Sequence, residues 1–341
     1  MTIKKQIVTD SKKHVVVLDD WEQNFTKQPT SQANWSVVKA RASITIHMDT
    51  LRGAKLVEAL QGADAVVLMR DRTPFKADLI AQLPNLKYVV FTGTRNTQID
   101  FEALAARGIP VGCTAFGPSK ENTCEITWGL ILGAVKQLES NFALMRDTQD
   151  AGGWRDPRGT QPMSILSGQR LGVIGLGEIG GRVAKVGLAF GMDVVCWSPN
   201  MTLERAAAKG ARSVPLEELL STSKVVSLHI VPSPATKHFM NADRLAQMRS
   251  DAVLINTSRA SLIDMDALQA SLAKGCGFAG IDVYDVEPVS AAHPLRKLPN
   301  VLLTPHVGFV CEPVFKNFDN GVAECLAAWV QGLPLVRAAL G

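Results

Sequence analysis

The sequence predicts an α/β chain of two domains, each a parallel sheet covered by helices. Three observations carry this. Short apolar runs alternate with helix-length amphipathic stretches, the pattern of βα units. One run, 171–174 (LGVI), passes directly into Gly175-Leu-Gly177-Glu178-Ile179-Gly180 and then into a stretch with Ile179, Val183, Val186 and Phe190 on one helical face. With 341 residues, the chain is long enough for two domains with their own cores. Both domains are then Rossmann-like or flavodoxin-like in plan. The one that carries the glycine turn is doubly wound.

The elements follow in order. Segments 15–18 (VVVL) and 43–46 (SITI) read as strands, 50–60 as a helix and 65–69 (AVVLM) as a strand. A helix over 76–83 stops at Pro84; 88–91 (YVVF) is a strand, 101–107 a helix ended by Gly108, and 109–113 a strand. This part lacks a phosphate-binding turn, so it is a separate domain. Residues 122–146 read as one long helix, apolar over much of its circumference, which implies burial between domains or between subunits. In the Gly- and Pro-rich loop 151–159 (AGGWRDPRG), Trp154 either anchors the loop or meets a partner. Beyond the glycine turn, Gly191 stands where a C-terminal cap is expected. Strands two to six of that domain are read at 194–197, 225–230, 252–256, 278–283 and 301–303, matching the order 3-2-1-4-5-6. A last helix over 314–330 lies beyond the sixth strand, free to return to the first domain and make it discontinuous.

Composition excludes several function classes. Apolar content of 46% and charged content of 20% are those of a globular protein. The net charge of +4 is spread along the chain, so no nucleic-acid partner is expected. The N-terminal apolar run 15–18 is too short for a signal peptide, and no segment is long and apolar enough for a membrane. The 6 cysteines show neither C-x-x-C nor a metal-ligand rhythm; buried free thiols and no metal are expected. All of this suits the cytoplasm.

In a doubly wound sheet, ligands sit outside the carboxyl ends of the strands. The glycine turn leaves from that edge. Gly175 allows a tight turn, Gly177 lets backbone approach a pyrophosphate, and Gly180 lets helix and strand pack closely. The helix start offers free N–H groups to phosphates. Three reactive side chains follow the last three strands: Arg259 in NTSR, Glu287 in DVEP and His306 in TPHVG. Singly, each has a bland reading: a surface arginine, a solvated carboxylate, a structural histidine. Jointly, at one edge of a cofactor sheet, they suit hydride transfer at an alcohol or ketone carbon. A histidine near neutrality supplies the proton, a neighbouring carboxylate favours its charged form and orients the ring, and an arginine fork holds a substrate carboxylate.

These residues resemble the D-isomer-specific 2-hydroxyacid dehydrogenase family. GLGEIG, the segment from LHIVPSPATKHF to INTSRASLIDMDAL, DVYDVEP and LLTPHVG match its motifs in order and spacing. The resemblance implies Arg259 as the substrate-orienting arginine, Glu287 as the histidine's partner and His306 as the acid/base. It implies that Glu178 and Ile179 meet the cofactor phosphates, that His229, Val231, Thr236, Thr257 and Gly308 line the cofactor cleft, and that Asp282 lies near the nicotinamide carboxamide. It also implies a substrate domain of 1–115 plus 309–341, a dinucleotide-binding domain of 116–308, and a homodimer. The D configuration of a small carboxylate substrate comes from the resemblance alone.

Three departures stand out. Ala260 follows the arginine where the family often has glycine. The substrate loop reads Gly93-Thr94-Arg95, with Arg95 for a glycine; it either adds charge to the substrate pocket or points to solvent. Ser198 stands where an acid is expected to bind the ribose hydroxyls, and the nearest following arginine is Arg205, so NAD and NADP both stay open. The leading reading is an NAD(P)-dependent oxidoreductase of 2-hydroxy and 2-oxo acids. The alternatives are a formate dehydrogenase-like enzyme, which needs no carbonyl proton, and a nicotinamide-sensing corepressor-like binding protein, which needs a peptide groove.

Overall fold

The structure, a computed structural model, describes residues 12–27, 33–146 and 162–339; Trp154 lies outside the described residues. The chain divides into two compact units, 1–118 with 311–341, and 119–310.

The first unit holds a five-stranded parallel sheet. Its strands are β1 (Lys13–Leu18), β2 (Ala42–Ile46), β3 (Ala65–Leu68), β4 (Tyr88–Phe91) and β5 (Val111–Cys113), in the order β2-β1-β3-β4-β5. β3 and β4 are buried along their whole length, which explains why they read as unbroken apolar runs. Helix Glu312–Gln331 belongs to this unit, so the unit is discontinuous in sequence. Helix Ala33–Arg41 packs on it, with Trp35 and Val38 buried and Trp35 Nε1 donating to Asp319 Oδ1 at 2.9 Å. That helix shows little amphipathic periodicity. One buried indole with a buried acceptor, rather than a stripe, secures it.

The second unit holds a seven-stranded parallel sheet in the order β12-β11-β10-β9-β6-β7-β8. The strands are β6 (Arg170–Ile174), β7 (Asp193–Trp197), β8 (Arg212–Ser213), β9 (Val225–Leu228), β10 (Val253–Asn256), β11 (Phe278–Ile281) and β12 (Val301–Leu303). Alternate residues of one strand enter different cores: Val225 joins the cluster with Leu171, Val183 and Trp128, and Val226 the cluster with Leu219, Leu254 and Leu262. The sheet is therefore buried on both faces.

Two expectations need correction. The run at 225–230 is the fourth strand of this sheet, not the third: β9 pairs with β6, while the third strand is the two-residue β8 on the far side of β7. So short an edge strand carries no periodicity to read. The classic order is kept, with a seventh strand added. Secondly, the long helix over 122–146 is two helices, Ser119–Val135 and Leu138–Arg146, broken at Gln137 with φ 49°. The Gln137 carbonyl starts the second helix: it accepts from Asn141 N at 3.1 Å, and the side chains of Ser140 and Asn141 add donors at 3.0 and 2.8 Å. The first helix is buried over much of its length, at Thr127, Trp128 and Ile131 among others, and the second buries no residue.

Among the described residues, no helix is long and apolar enough to cross a membrane. All six cysteines are free; Cys124, Cys196 and Cys325 are buried, and Cys276 is exposed.

Candidate active site

The glycine turn joins β6 to helix Glu178–Ala189. Gly175 has φ 97°, and a Cβ there would stand 2.5 Å from the His229 carbonyl carbon, so both conformation and space demand glycine. At Gly180 a Cβ would meet the Gly175 carbonyl oxygen at 2.1 Å, because the helix start lies directly on the turn. Gly177, by contrast, faces open space. It caps the helix without a side-chain bond, leaving its surface clear for a phosphate group and the helix N–H groups unobstructed. Glu178 and half-buried Ile179 form the first helical turn, and the Glu178 carboxylate is ion-paired with Lys120. These residues fit a dinucleotide pyrophosphate. Gly175 N donates to Trp197 O at 2.8 Å, which holds the end of β7, and half-buried Ser198 after it, against the turn.

The loop after β9 carries His229, Val231 and Thr236. Burial pushes the His229 imidazole down to about 4, so it is neutral at pH 7; its Nε2 lies 2.8 Å from Ser227 Oγ. Val231 is 79% exposed. Thr236 closes a capping box with Ser233 and donates to Val231 O at 3.0 Å, which shapes the loop under that valine.

Arg259, Glu287 and His306 all follow strand ends of this one sheet. After β10, buried Asn256 brackets its turn: its Nδ2 donates to Arg259 O at 2.9 Å, and its Oδ1 accepts from Ser258 N at 3.0 Å. The turn leaves the Arg259 side chain exposed, with one guanidinium nitrogen on Ser258 O at 2.8 Å. Buried Thr257 pairs with Thr127 across a 2.8 Å hydroxyl contact.

His306 and Glu287 meet. Nδ1 of His306 lies 2.8 Å from Glu287 Oε2. A carboxylate only accepts, so Nδ1 carries the proton, and Nε2 is the ring nitrogen left for chemistry. The other carboxylate oxygen, Oε1, accepts from Tyr284 N at 3.0 Å. Burial alone raises the Glu287 carboxyl; the His306 bond and charge, the Tyr284 amide and the Arg259 charge outweigh it and hold the group below its ordinary range.

Asp282, fully buried, organises the loop beneath His306. Its Oδ1 accepts from Thr304 Oγ1 at 2.6 Å and Val307 N at 2.9 Å, and its Oδ2 from Gly308 N at 2.9 Å. Burial pushes its carboxyl up against the lowering pull of these three bonds. His306 sits at φ 54°, a left-handed conformation that the two flanking amide bonds help to secure. The Gly308 carbonyl accepts from Thr123 Oγ1 at 2.8 Å and Asn122 Nδ2 at 3.1 Å. The resemblance implied a cofactor contact for Asp282; the carboxylate's visible work is inside the loop.

In the first unit, the loop after β4 begins at Gly93, whose N donates to Thr114 Oγ1 at 2.8 Å and whose φ is 97°. Thr94 and Arg95 are exposed. A Cβ at Gly93 would stand 2.0 Å from an Arg70 guanidinium nitrogen; Arg70 donates to Thr92 O at 3.2 Å and stacks on Phe116 at 4.3 Å. Sequence reasoning missed Arg70, Tyr284 and Lys209, which touches the glycine turn. Each acts through a long-range contact, or through its backbone, and no local pattern marks either.

The fold and the edge chemistry are those of the dinucleotide-linked oxidoreductases. Residues 129–308 match the family model of the D-isomer specific 2-hydroxyacid dehydrogenase NAD binding domain. The chain is 34% identical over 283 residues to a glyoxylate reductase of Aeropyrum pernix, spanning 81% of this chain and 83% of that protein. It is 36% identical over 286 residues to a D-3-phosphoglycerate dehydrogenase of Haemophilus influenzae, spanning 82% and 67% of the two. A solved phosphoglycerate oxidoreductase from Vibrio cholerae superposes with TM-score 0.84 at 30% identity, over 94% of this chain and 99% of that one. The chain belongs to the D-isomer specific 2-hydroxyacid dehydrogenase family.

Proposed function

We propose that this protein interconverts a small 2-oxo acid and its D-2-hydroxy acid with a nicotinamide cofactor. The observation that carries the reading is the 2.8 Å contact between His306 Nδ1 and Glu287 Oε2, on the sheet edge from which the glycine turn leaves. When bound, the cofactor supplies or accepts the hydride. His306 Nε2 delivers the proton to the carbonyl oxygen in reduction and takes it back in oxidation. Glu287 holds the ring's orientation through Nδ1. Arg259 grips the substrate carboxylate beside the reacting carbon. The Gly93-Thr94-Arg95 loop offers backbone amides and a cation to the same kind of group. On this reading, 116–308 is the dinucleotide-binding domain, and 1–115 with 309–341 the substrate domain. The names of relatives point to glyoxylate and phosphoglycerate-type acids as first candidates. A formate dehydrogenase-like reaction is disfavoured, because it gives a histidine–carboxylate proton relay nothing to do.

The test is NADH and NADPH oxidation against glyoxylate, hydroxypyruvate, pyruvate, phenylpyruvate and 3-phosphohydroxypyruvate. Turnover on any of these supports the reading. Tight nucleotide binding with no turnover on a broad set of 2-oxo acids overturns it in favour of a nicotinamide-sensing binding module.

The ion pair has a pH signature. With Glu287 held below its ordinary range, its carboxylate is ionised above that lowered titration and is neutralised as pH falls through it. Replacing the carboxylate by an amide removes that titrating group. Glu287→Gln is therefore expected to lose the part of the acidic limb of the reductive profile that follows the Glu287 carboxyl. An unmoved profile with full activity rules the role out.

A homodimer is also part of the reading. Leu138, Phe142 and Met145 of the helix Leu138–Arg146 are 37%, 60% and 57% exposed, at i, i+4 and i+7. This apolar stripe without a buried residue suits a second copy of the chain. Sedimentation equilibrium is expected to report twice the chain mass, and Phe142→Glu to shift it toward one; a monomeric parent removes the proposal.

A further inference from the structure

The corner between the glycine turn and the loop after β7 carries a charge that the nucleotide-binding reading does not use. About 20 residues beyond a glycine turn, an acid ordinarily meets the ribose 2′-hydroxyl, or a cation a 2′-phosphate. Here Ser198 occupies that place, held beside the turn by the Gly175 N to Trp197 O bond of 2.8 Å. A serine repels no phosphate and offers it a hydroxyl donor.

A cation also reaches the turn. Lys209 lies just past helix Leu203–Ala207, on the chain between β7 and β8. Its Nζ donates to Gly177 O at 2.7 Å. The side chain gets there by crossing Gly181: a Cβ at that position would stand 2.7 Å from Nζ, 3.0 Å from Cδ and 3.3 Å from Cε. The second glycine of the GG pair thus opens a path for this lysine, a role separate from the three glycines of the turn. An ammonium has three donors, and the one bonded here meets a neutral carbonyl, so two donors remain for an anion, while the charge is also felt by the Glu178 carboxylate.

The neighbouring charges agree. Arg205 folds back onto the same loop, with a guanidinium nitrogen on Asn200 O at 2.6 Å. Glu178, the acid nearest the turn, is ion-paired with Lys120, and Glu204 carries a lowered carboxyl through the helix start and Thr202. Arg182 is ion-paired with Glu121. Arg205 thus lies on the Ser198 loop and Lys209 on the glycine turn that the end of β7 is bonded to.

We propose that Ser198 and Lys209, with Arg205 behind them, form a subsite for the 2′-phosphate of NADP, so that this chain binds NADP at least as well as NAD. The inference rests on the nicotinamide-linked reading above. It adds a residue that lies 11 positions past the usual one in sequence and reaches the turn through space.

The experiment is a calorimetric titration of the full chain with NADP+, NAD+, 2′,5′-ADP and ADP. The parent is expected to bind 2′,5′-ADP about tenfold more tightly than ADP, with the difference shrinking as salt is raised. Lys209→Met keeps the stem over Gly181 and removes the charge. It is expected to lose about tenfold in affinity for NADP+ and 2′,5′-ADP while NAD+ and ADP stay within about twofold. Lys209→Arg is expected to retain most of the preference. Ser198→Asp, at a half-buried surface loop, is expected to abolish it by restoring the repelling acid. Equal losses for all four ligands in Lys209→Met overturn the subsite and make the lysine a clamp on the turn or a pyrophosphate contact. A parent that binds NAD+ and ADP but discriminates against the 2′-phosphate overturns the subsite alone. A parent that binds none of the four overturns the cofactor reading itself.

Discussion

Replacing His306 by asparagine is expected to lower kcat for 2-oxo acid reduction by about 10²- to 10⁴-fold, the usual worth of a positioned general acid. The variant isolates chemistry from folding. Position 306 has φ 54°, and asparagine is among the few residues that enter that region readily. The loop is held by Asp282 through Thr304 Oγ1, Val307 N and Gly308 N, none of which belongs to the His306 side chain. Glu287 loses its partner but keeps the Tyr284 amide, and its side chain is 29% exposed, so water replaces the ring. Nucleotide affinity and the thermal midpoint should therefore hold while kcat collapses. Near-parental kcat would mean that the proton comes from another group.

Arg259→Ala is expected to reduce kcat/KM for carboxylate substrates by about 10²- to 10³-fold. Two charge-assisted bonds at about 1.5–3 kcal/mol each amount to about 10²- to 10⁴-fold, and partial compensation by water brings the loss into the lower part of that range. The fold does not depend on this side chain. Arg259 is exposed, its own contact is to the adjacent Ser258 carbonyl, and the turn is bracketed by Asn256 through backbone atoms. Arg259→Lys should recover only part of the loss, because an ammonium cannot reproduce the planar fork. A small effect on kcat/KM in the alanine variant would move the anchor elsewhere, and exposed Arg95 is the first place to look.

Much of this was legible in the chain. Buried parallel strands leave unbroken apolar runs such as 65–68 and 88–91, and helices that cover them leave a stripe, so the αβ alternation shows directly. The glycine turn is local as well: Gly175 is required by its φ of 97° and Gly180 by its contact to the Gly175 carbonyl, while the close approach of His229 to Gly175 is a tertiary contact. Arg259, Glu287 and His306 could be proposed together because a parallel sheet delivers every strand end to one edge.

What the sequence by itself determined was the class of fold, the place of the nucleotide turn and the edge where chemistry belongs, because each depends on residues close together along the chain. The tertiary structure alone decided the rest. It put β8 rather than β9 third in the sheet, broke the helix at Gln137, and bonded Nδ1 of His306 to Glu287, 19 residues away. It turned Asp282 inward to three donors of the 304–308 loop and carried Lys209 across Gly181 to the Gly177 carbonyl, 32 residues back. Such contacts depend on how packed elements bring distant side chains within 3 Å, and spacing along a chain holds no record of that distance.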